Sequence, residues 1–334
     1  MSRPRVGFLG TGWIGRDRMQ AMLATGAVEA AAIVDASPEG AAEAQALAPD
    51  AKVLHSLEEM LEQGLDGLVI ATPSALHAAQ AVEALAAGAA VFCQKPLGRS
   101  EAEARAVVET AQAADRLLMV DMSYRRTLAA EAVVERIRAR ALGQVFAAEL
   151  EFHNAYGPDK PWFFDRALAG GGCLMDLGVH LVDLALWALN FPQVEHVSGA
   201  LFAHGRPLAE TPDSVEDYAL AELRLAGGAL VRIGCSWHAH AGRDAVIAAR
   251  FQGTEGGAAL HNVAGSFYDL AAEEYAGTSA RALASPPDAW GGRQAAHWAQ
   301  RLAAGERFDP AACEVLATAA VLDRIYAAAR QPGR

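Results

Sequence analysis

The chain has 334 residues, 52% of them hydrophobic and 20% charged, and a formal net charge of −12. That length allows two domains with cores of ordinary size, and the composition excludes an intrinsically disordered protein. The acidic balance argues against nucleic acid as a partner, because phosphate backbones are bound by cationic surfaces that displace counterions.

From Arg5 to Met122, short apolar runs alternate with alanine-rich amphipathic segments. RVGFLG, AAIVDA, DGLVIAT, AAVFCQ and LLMVDM read as buried strands, and segments near 15–25, 38–48, 75–87 and 100–113 read as helices. That rhythm predicts an α/β domain over residues 1–123, a doubly wound parallel sheet covered on both faces. After SYRR the pattern changes. A helix near 128–140 precedes QVFAAELEFH, VEHVSGALFAH, DYALAELRL, ALVRIGCSWHAH and DAVIAARFQG, whose alternation predicts a large, open, mainly antiparallel sheet. A helix at 172–189 lies inside this block, GTSARALASPPDAWGG near 277–292 reads as a surface loop, and helices near 294–304 and 310–329 close the chain. Residues 124–334 thus form an α+β substrate-binding and oligomerisation domain, whose last helices are free to pack back on the first. An apolar outer sheet face is expected, to be covered in a homodimer or homotetramer.

Cys93, Cys173, Cys235 and Cys313 are far apart, with no CxxC pair, and read as reduced thiols. The chain enters its periodic pattern at once, and the alanine-rich stretch near 84–91 is broken by Gly88 and too short to span a bilayer. A cytoplasmic protein with no membrane partner is expected.

GFLGTGWIG sets Gly10, Gly12 and Gly15 as GxGxxG between the first strand and the helix that opens with Trp13 and Ile14. Glycines at these positions permit a tight turn, backbone approach to a pyrophosphate and close helix packing, with helix amides facing the phosphates. Asp35 ends the second strand, where a carboxylate accepts hydrogen bonds from ribose hydroxyls. Its charge repels a 2′-phosphate and the following ASPEG holds no arginine, so NAD is favoured over NADP.

VFCQKPLG follows the next strand but one, at the carboxyl edge where open α/β sheets bind ligands. Pro96, a position able to take a cis bond, ends the strand beside Lys95. GGGCLMDLGVHLVDLALWALN places Asp176, His180, Asp183 and Trp187 within an arc of roughly 60° on one helical face. Unpartnered carboxylates and an imidazole are costly to bury, so that face must meet polar groups, solvent or a ligand. Asp183 reads as a structural partner of an amide or arginine, and Trp187 as core.

GTGWIG, ATPSALH, QKPLG and GGGCLMDLGVHLVD together resemble the Gfo/Idh/MocA oxidoreductase family, which includes inositol and sugar dehydrogenases, and the resemblance covers most of the chain. It implies that Lys95, Asp176 and His180 form the catalytic group, with His180 taking the substrate hydroxyl proton. Lys95 would hydrogen-bond the same oxygen and orient the nicotinamide ribose, and Asp176 would hold the imidazole or a neighbouring hydroxyl. Thr72, Pro73 and His77 match positions that line the cofactor cleft. Where the family commonly has EKP, this chain has Gln94, which takes an anion away from the lysine.

On the substrate side, YGPDKPWFFDRALAG offers Trp162, Lys160 and Arg166, and Arg125 follows the last parallel strand. Tyr156, His153, His238 and His240 are further residues able to enter the cleft. The expected activity is hydride transfer between NAD and a secondary alcohol of a sugar, inositol or related polyol. NAD-dependent glycoside hydrolysis through transient oxidation, with no net NADH, and a non-catalytic dinucleotide sensor are the alternatives. No metal is expected: hydride transfer with a lysine and a histidine needs no Lewis acid, and no second ligand cluster has metal spacing.

Overall fold

Glycine-bounded apolar runs account for the first half of the chain. The computed structural model describes residues 2–211 and 213–330. It divides into two units, one built from the chain up to Ser123 with Gly291–Leu316, the other from Tyr124–Trp290 with the chain from Ala317 on.

The first unit runs β1 (Arg5–Leu9), α1 (Trp13–Ala24), β2 (Glu29–Val34), α2 (Pro38–Leu47), β3 (Lys52–Val53), α3 (Leu57–Leu61), β4 (Gly67–Ile70), α4 (Ser74–Ala86), β5 (Ala90–Cys93), α5 (Glu101–Ala114) and β6 (Leu118–Val120). All strand pairs are parallel, in the order β3-β2-β1-β4-β5-β6. This is the doubly wound dinucleotide-binding arrangement, with its switch point between β1 and β4. β4 and β5 are buried at every residue, as expected of strands covered on both faces. Ser37, Ser56 and Ser100 start α2, α3 and α5 by accepting the amides of Gly40, Glu59 and Glu103. β3 and α3 escape the sequence pattern because β3 is two exposed residues with no apolar run.

The second unit contains α6 (Leu128–Arg138), β7 (Val145–Asn154), α7 (Arg166–Ala169), α8 (Val179–Ala188), β8 (Val194–Ala203), β9 (Arg206–Pro207), β10 (Tyr218–Leu225), β11 (Leu230–Ser236), β12 (Ala245–Gly253), β13 (Gly257–Asn262), β14 (Leu270–Ala276) and β15 (Ser279–Ala284). Nine strands form one sheet in the order β15-β14-β13-β12-β7-β11-β10-β8-β9. It is mixed: β7 runs antiparallel to β12 and parallel to β11. Leu150, Phe152, Val231, Ile233, Cys235, Ile247 and Phe251 are buried on the inner face, which α8 covers at β7 and β11.

Two expectations are corrected here. The outer face is not an apolar surface: Glu149 pairs with Arg232 at 3.6 Å and Glu151 with Arg250 at 3.0 Å, around exposed Tyr218 and Leu220. The alternation that buries Leu150 and Phe152 places these charges on the opposite side. The segment near 277–292 is likewise not all loop, since Ser279–Ala284 pairs with β14 as an edge strand. Four of its six residues are serine or alanine and the strand is mostly exposed, so it carries little burial signal.

Helix α9 (Arg293–Ala303) belongs to the first unit, where Trp298 is fully buried 5.9 Å from the Phe92 ring. A Cβ on Gly67 would lie 2.7 Å from that indole, which explains a glycine in β4. α10 (Glu314–Ala329) ends the helices. The helical run Arg166–Ala188 is apolar and long enough to cross a membrane by composition, yet 78% of its apolar window is buried inside the protein, as in a core helix.

Candidate active site

In the first unit the glycine turn is built as its spacing predicts. Gly10 has φ +81°, and a Cβ there would stand 2.6 Å from the Ala71 carbonyl, so only glycine fits. A Cβ on Gly15 would strike the Gly10 carbonyl oxygen, whereas one on Gly12 would meet nothing within 4 Å. Gly12 caps α1 without a side chain, leaving the amides of the first turn, from Trp13 to Gly15, uncapped and the open side of Gly12 beside them. Those features fit a dinucleotide pyrophosphate.

Asp35 follows β2. Its Oδ1 accepts the Ser37 amide at 2.8 Å, and its Oδ2 accepts the Thr11 amide and lies 3.0 Å from the Thr11 hydroxyl. The carboxylate thus fixes the glycine turn and is half-buried, with lone pairs remaining for ribose hydroxyls. A Cβ on Gly40 would come within 3.2 Å of it, so Gly40 lets α2 approach. Arg16, overlooked in the sequence, donates to the Thr11 carbonyl at 2.7 Å and pairs with Glu43 at 2.7 Å. Its charge is balanced there.

Thr72 and Pro73 follow β4, with Pro73 preceding α4. His77 is 1% exposed, and its ring nitrogens lie 2.7 Å from the carbonyls of Pro96 and Thr72. A neutral ring donates to one of these oxygens and packs against the other, between the β4 and β5 loops. Burial holds its pKa below the ordinary histidine range, with Lys95 acting in the same direction against the two carbonyls.

Lys95, half-buried, leaves β5 through a cis bond to Pro96. Gln94 donates to Asp121 Oδ2 at 2.6 Å, and Arg18 Nε donates to the same oxygen at 2.6 Å. Asp121 is 1% exposed, and its Oδ1 has no hydrogen-bond partner among the described residues. A carboxylate thus lies against Gln94 itself, that of Asp121 after β6, where it is already paired with Arg18.

In the second unit the helix at 172–189 has two parts. Leu174–Gly178 is a π-turn, with the Val179 amide bonded to the Leu174 carbonyl five residues back, and α8 follows. Asp176 sits in that turn, half-buried. His180, 8% exposed, stands edge-on to the Tyr124 ring at 4.9 Å. The residues of the predicted stripe therefore meet different surroundings. Asp183 is bound by Arg125 through two 2.7 Å bonds and by Thr318 at 3.3 Å, and Arg125 lies over Trp187 and Phe191. Arg125, a substrate candidate in the sequence, has its guanidinium engaged by the helix.

The glycines before the helix have a packing cause. Glu216, 1% exposed, accepts the amides of Gly172 and Leu174 at 2.8 and 3.0 Å and the Tyr326 hydroxyl at 2.7 Å. A Cβ on Gly172 would collide with the Glu216 carbonyl oxygen, and one on Gly171 with the Tyr326 hydroxyl. Burial raises the Glu216 pKa against these donors. Cys173 and Cys235, 62 positions apart, each donate to the other's carbonyl at 3.5 Å, and burial keeps the Cys173 thiol protonated.

Asp176 Oδ2 accepts the indole N–H of Trp237 at 3.2 Å. Tyr124, packed against Phe152, His180 and Trp290, has its phenol raised above the ordinary range by burial and by nearby Tyr268 and Asp176, so it remains a donor. Neither Trp237 nor Tyr124 is visible as a site residue in sequence, since both are brought to the helix by tertiary packing. On the loop before α7, Trp162 stacks on Phe163 at 3.8 Å, Tyr156 is 51% exposed 6.0 Å from Phe267, and Lys160 and Arg166 are exposed. His153 turns to the outer sheet face, bonded to Ser236 at 2.8 Å, and His238 and His240 are exposed beyond β11.

The glycine turn and Asp35 define a dinucleotide-binding fold, and comparison with known proteins agrees. Residues 4–122 match the model of an oxidoreductase family with an NAD-binding Rossmann fold, and residues 130–259 match the GFO/IDH/MocA C-terminal domain. The chain belongs to the Gfo/Idh/MocA family, and its first unit is that family's NAD-binding Rossmann domain. It is 31% identical over 211 residues to levoglucosan dehydrogenase of Pseudarthrobacter phenanthrenivorans, a match spanning 56% of this chain and 53%, about half, of that protein. It is 28% identical over 317 residues to inositol 2-dehydrogenase of Acidiphilium cryptum, spanning 87% and 90%. The crystal structure of GenD2 from gentamicin A biosynthesis, in complex with NAD, superposes with a TM-score of 0.82 at 25% identity, covering 98% of this chain and 95% of that one.

Proposed function

We propose that this chain is an NAD-dependent dehydrogenase that oxidises a secondary alcohol of a sugar, inositol or related polyol. What carries it is the placement of Lys95 at the carboxyl end of β5, with the uncapped glycine turn on β1 of the same sheet. The relatives named for levoglucosan and inositol support the substrate class. Gly10, Gly12, Trp13, Ile14, Gly15 and Asp35 hold the dinucleotide, with Thr72 and Pro73 beside it. The Asp35 carboxylate and the Arg16–Glu43 pair favour NAD over NADP.

Bound NAD supplies the hydride acceptor. His180 takes the proton of the substrate hydroxyl as its carbon loses hydride, leaving a ketone. Lys95 hydrogen-bonds the same oxygen and stabilises the charge that develops on it. Asp176, one turn before His180, orients the imidazole or holds a neighbouring hydroxyl. Arg125 acts through Asp183 as a support of the helix and not on the substrate.

An NADH-absorbance screen over inositols, aldoses, sugar acids and aminosugars tests the activity. On the substrate it identifies, Lys95→Met and His180→Ala lose turnover, on the order of 100-fold or more, and the histidine variant still binds NAD. Normal turnover in both variants would refute the site assignment, and NADP(H) bound more tightly than NAD(H) would refute the cofactor preference.

A further inference from the structure

The inward alternation of β11 runs Val231, Ile233, Cys235 and, just past the strand, Trp237. Cys235 is small, and a Cβ on Gly178 would lie 3.2 Å from its sulfur, so the π-turn sits directly on this strand. The next inward side chain then reaches along the helix to Asp176. Trp237 is held on every side: its amide donates to the Asp217 carbonyl at 2.8 Å, and the Ala239 amide donates to the Asn154 carbonyl at 2.7 Å. Between them His238 takes a left-handed φ of +59°, which a non-glycine residue adopts only under constraint. The indole is 3% exposed and meets Phe164 edge-on at 5.6 Å and Phe163 at 6.4 Å, both from the loop before α7. An indole has one donor, and here it is directed to one carboxylate oxygen.

We propose that Trp237 is a positioning residue for Asp176, fixing the carboxylate through its indole N–H and linking it to the aromatic loop that carries Phe163 and Phe164. This rests on Asp176 belonging to the active site, and it adds a residue that acts through it. Loss of a hydrogen bond to a charged group acts on the reacting geometry and not on cofactor affinity.

Trp237→Phe keeps an aromatic ring and removes the donor. With NAD and the substrate found by the screen, kcat falls about tenfold while KM for NAD is unchanged. In an Asp176→Ala background the same change has no further effect, since the acceptor is already gone. A second measurement needs no substrate: the indole N–H resonance of Trp237, assigned by its absence in Trp237→Phe, lies at a different chemical shift in Asp176→Ala than in the wild type, because its acceptor is gone. Unimpaired kcat in Trp237→Phe, equal losses in both backgrounds, or an indole resonance at the same position in the wild type and Asp176→Ala would each overturn the inference. Full turnover in Asp176→Asn would instead refute the catalytic assignment of Asp176.

Discussion

Lys95 and His180 stand in different units, yet each lies beside a buried arginine–aspartate pair. Next to Lys95 in the chain, Gln94 and Arg18 converge on a single oxygen of Asp121, and the other oxygen is buried with no partner among the described residues. Three residues beyond His180, Asp183 has both oxygens engaged by Arg125 and receives the Thr318 hydroxyl as well. Buried charges persist only when paired and hydrogen-bonded. The contrast teaches that the acid of the helix has both oxygens engaged, whereas the acid bound by Gln94 has one oxygen unsatisfied among the described residues.

The largest expected effect breaks the complete pair. Asp183→Ala strands the Arg125 guanidinium between two aromatic rings and costs about 3–5 kcal/mol of stability in a urea titration. A loss under about 1 kcal/mol would mean that the pair is dispensable. The incomplete pair is probed by Gln94→Glu, which restores the residue common in the family and sets a second carboxyl against Asp121. It costs about 1–3 kcal/mol at neutral pH. The two carboxyls share a proton, raising the folded pKa, so the deficit is absent below the unfolded carboxyl pKa near ~4 and grows as pH rises toward the raised value. Adding Asp121→Asn removes the repulsion and recovers most of the loss. A pH-independent deficit would show that repulsion is not its cause.

The smallest effect concerns His77, whose ring lies between the β4 and β5 loops. Its folded pKa is depressed by burial, while the unfolded chain takes up the proton near ~6.5. The stability it contributes is therefore present above that pH and declines as acid protonates the unfolded state. His77→Gln retains one amide donor for a carbonyl and flattens the acid-side fall of stability relative to wild type. Parallel curves for the two proteins would remove His77 as the titrating group.

Much of this was legible in sequence where local rules dominate. GLVI and AVFC, buried on both faces, need no partner to be read as strands, and the spacing of Gly10, Gly12, Gly15 and Asp35 encodes one turn. Asp183 could be read as an arginine's partner because a buried acid demands one. The π-turn could not, since an α-helical wheel assumes one rotation per residue throughout and merged Asp176, His180 and Asp183 into one stripe. The Arg18–Asp121 pair spans 103 positions and the Cys173–Cys235 contact 62, and neither leaves a periodic trace. On the outer sheet, Glu149 and Glu151 alternate visibly with Leu150 and Phe152. The expected apolar face failed because the general need to cover open sheets was set above those two letters.

A π-turn is an α-helix carrying one surplus residue. Deleting a single codon within Leu174–Gly178 would heal the backbone ladder of this helix while swinging everything upstream about 100° around its axis, Asp176 included. At this one place, a chain made more regular would lose the present setting of Asp176 one turn before His180.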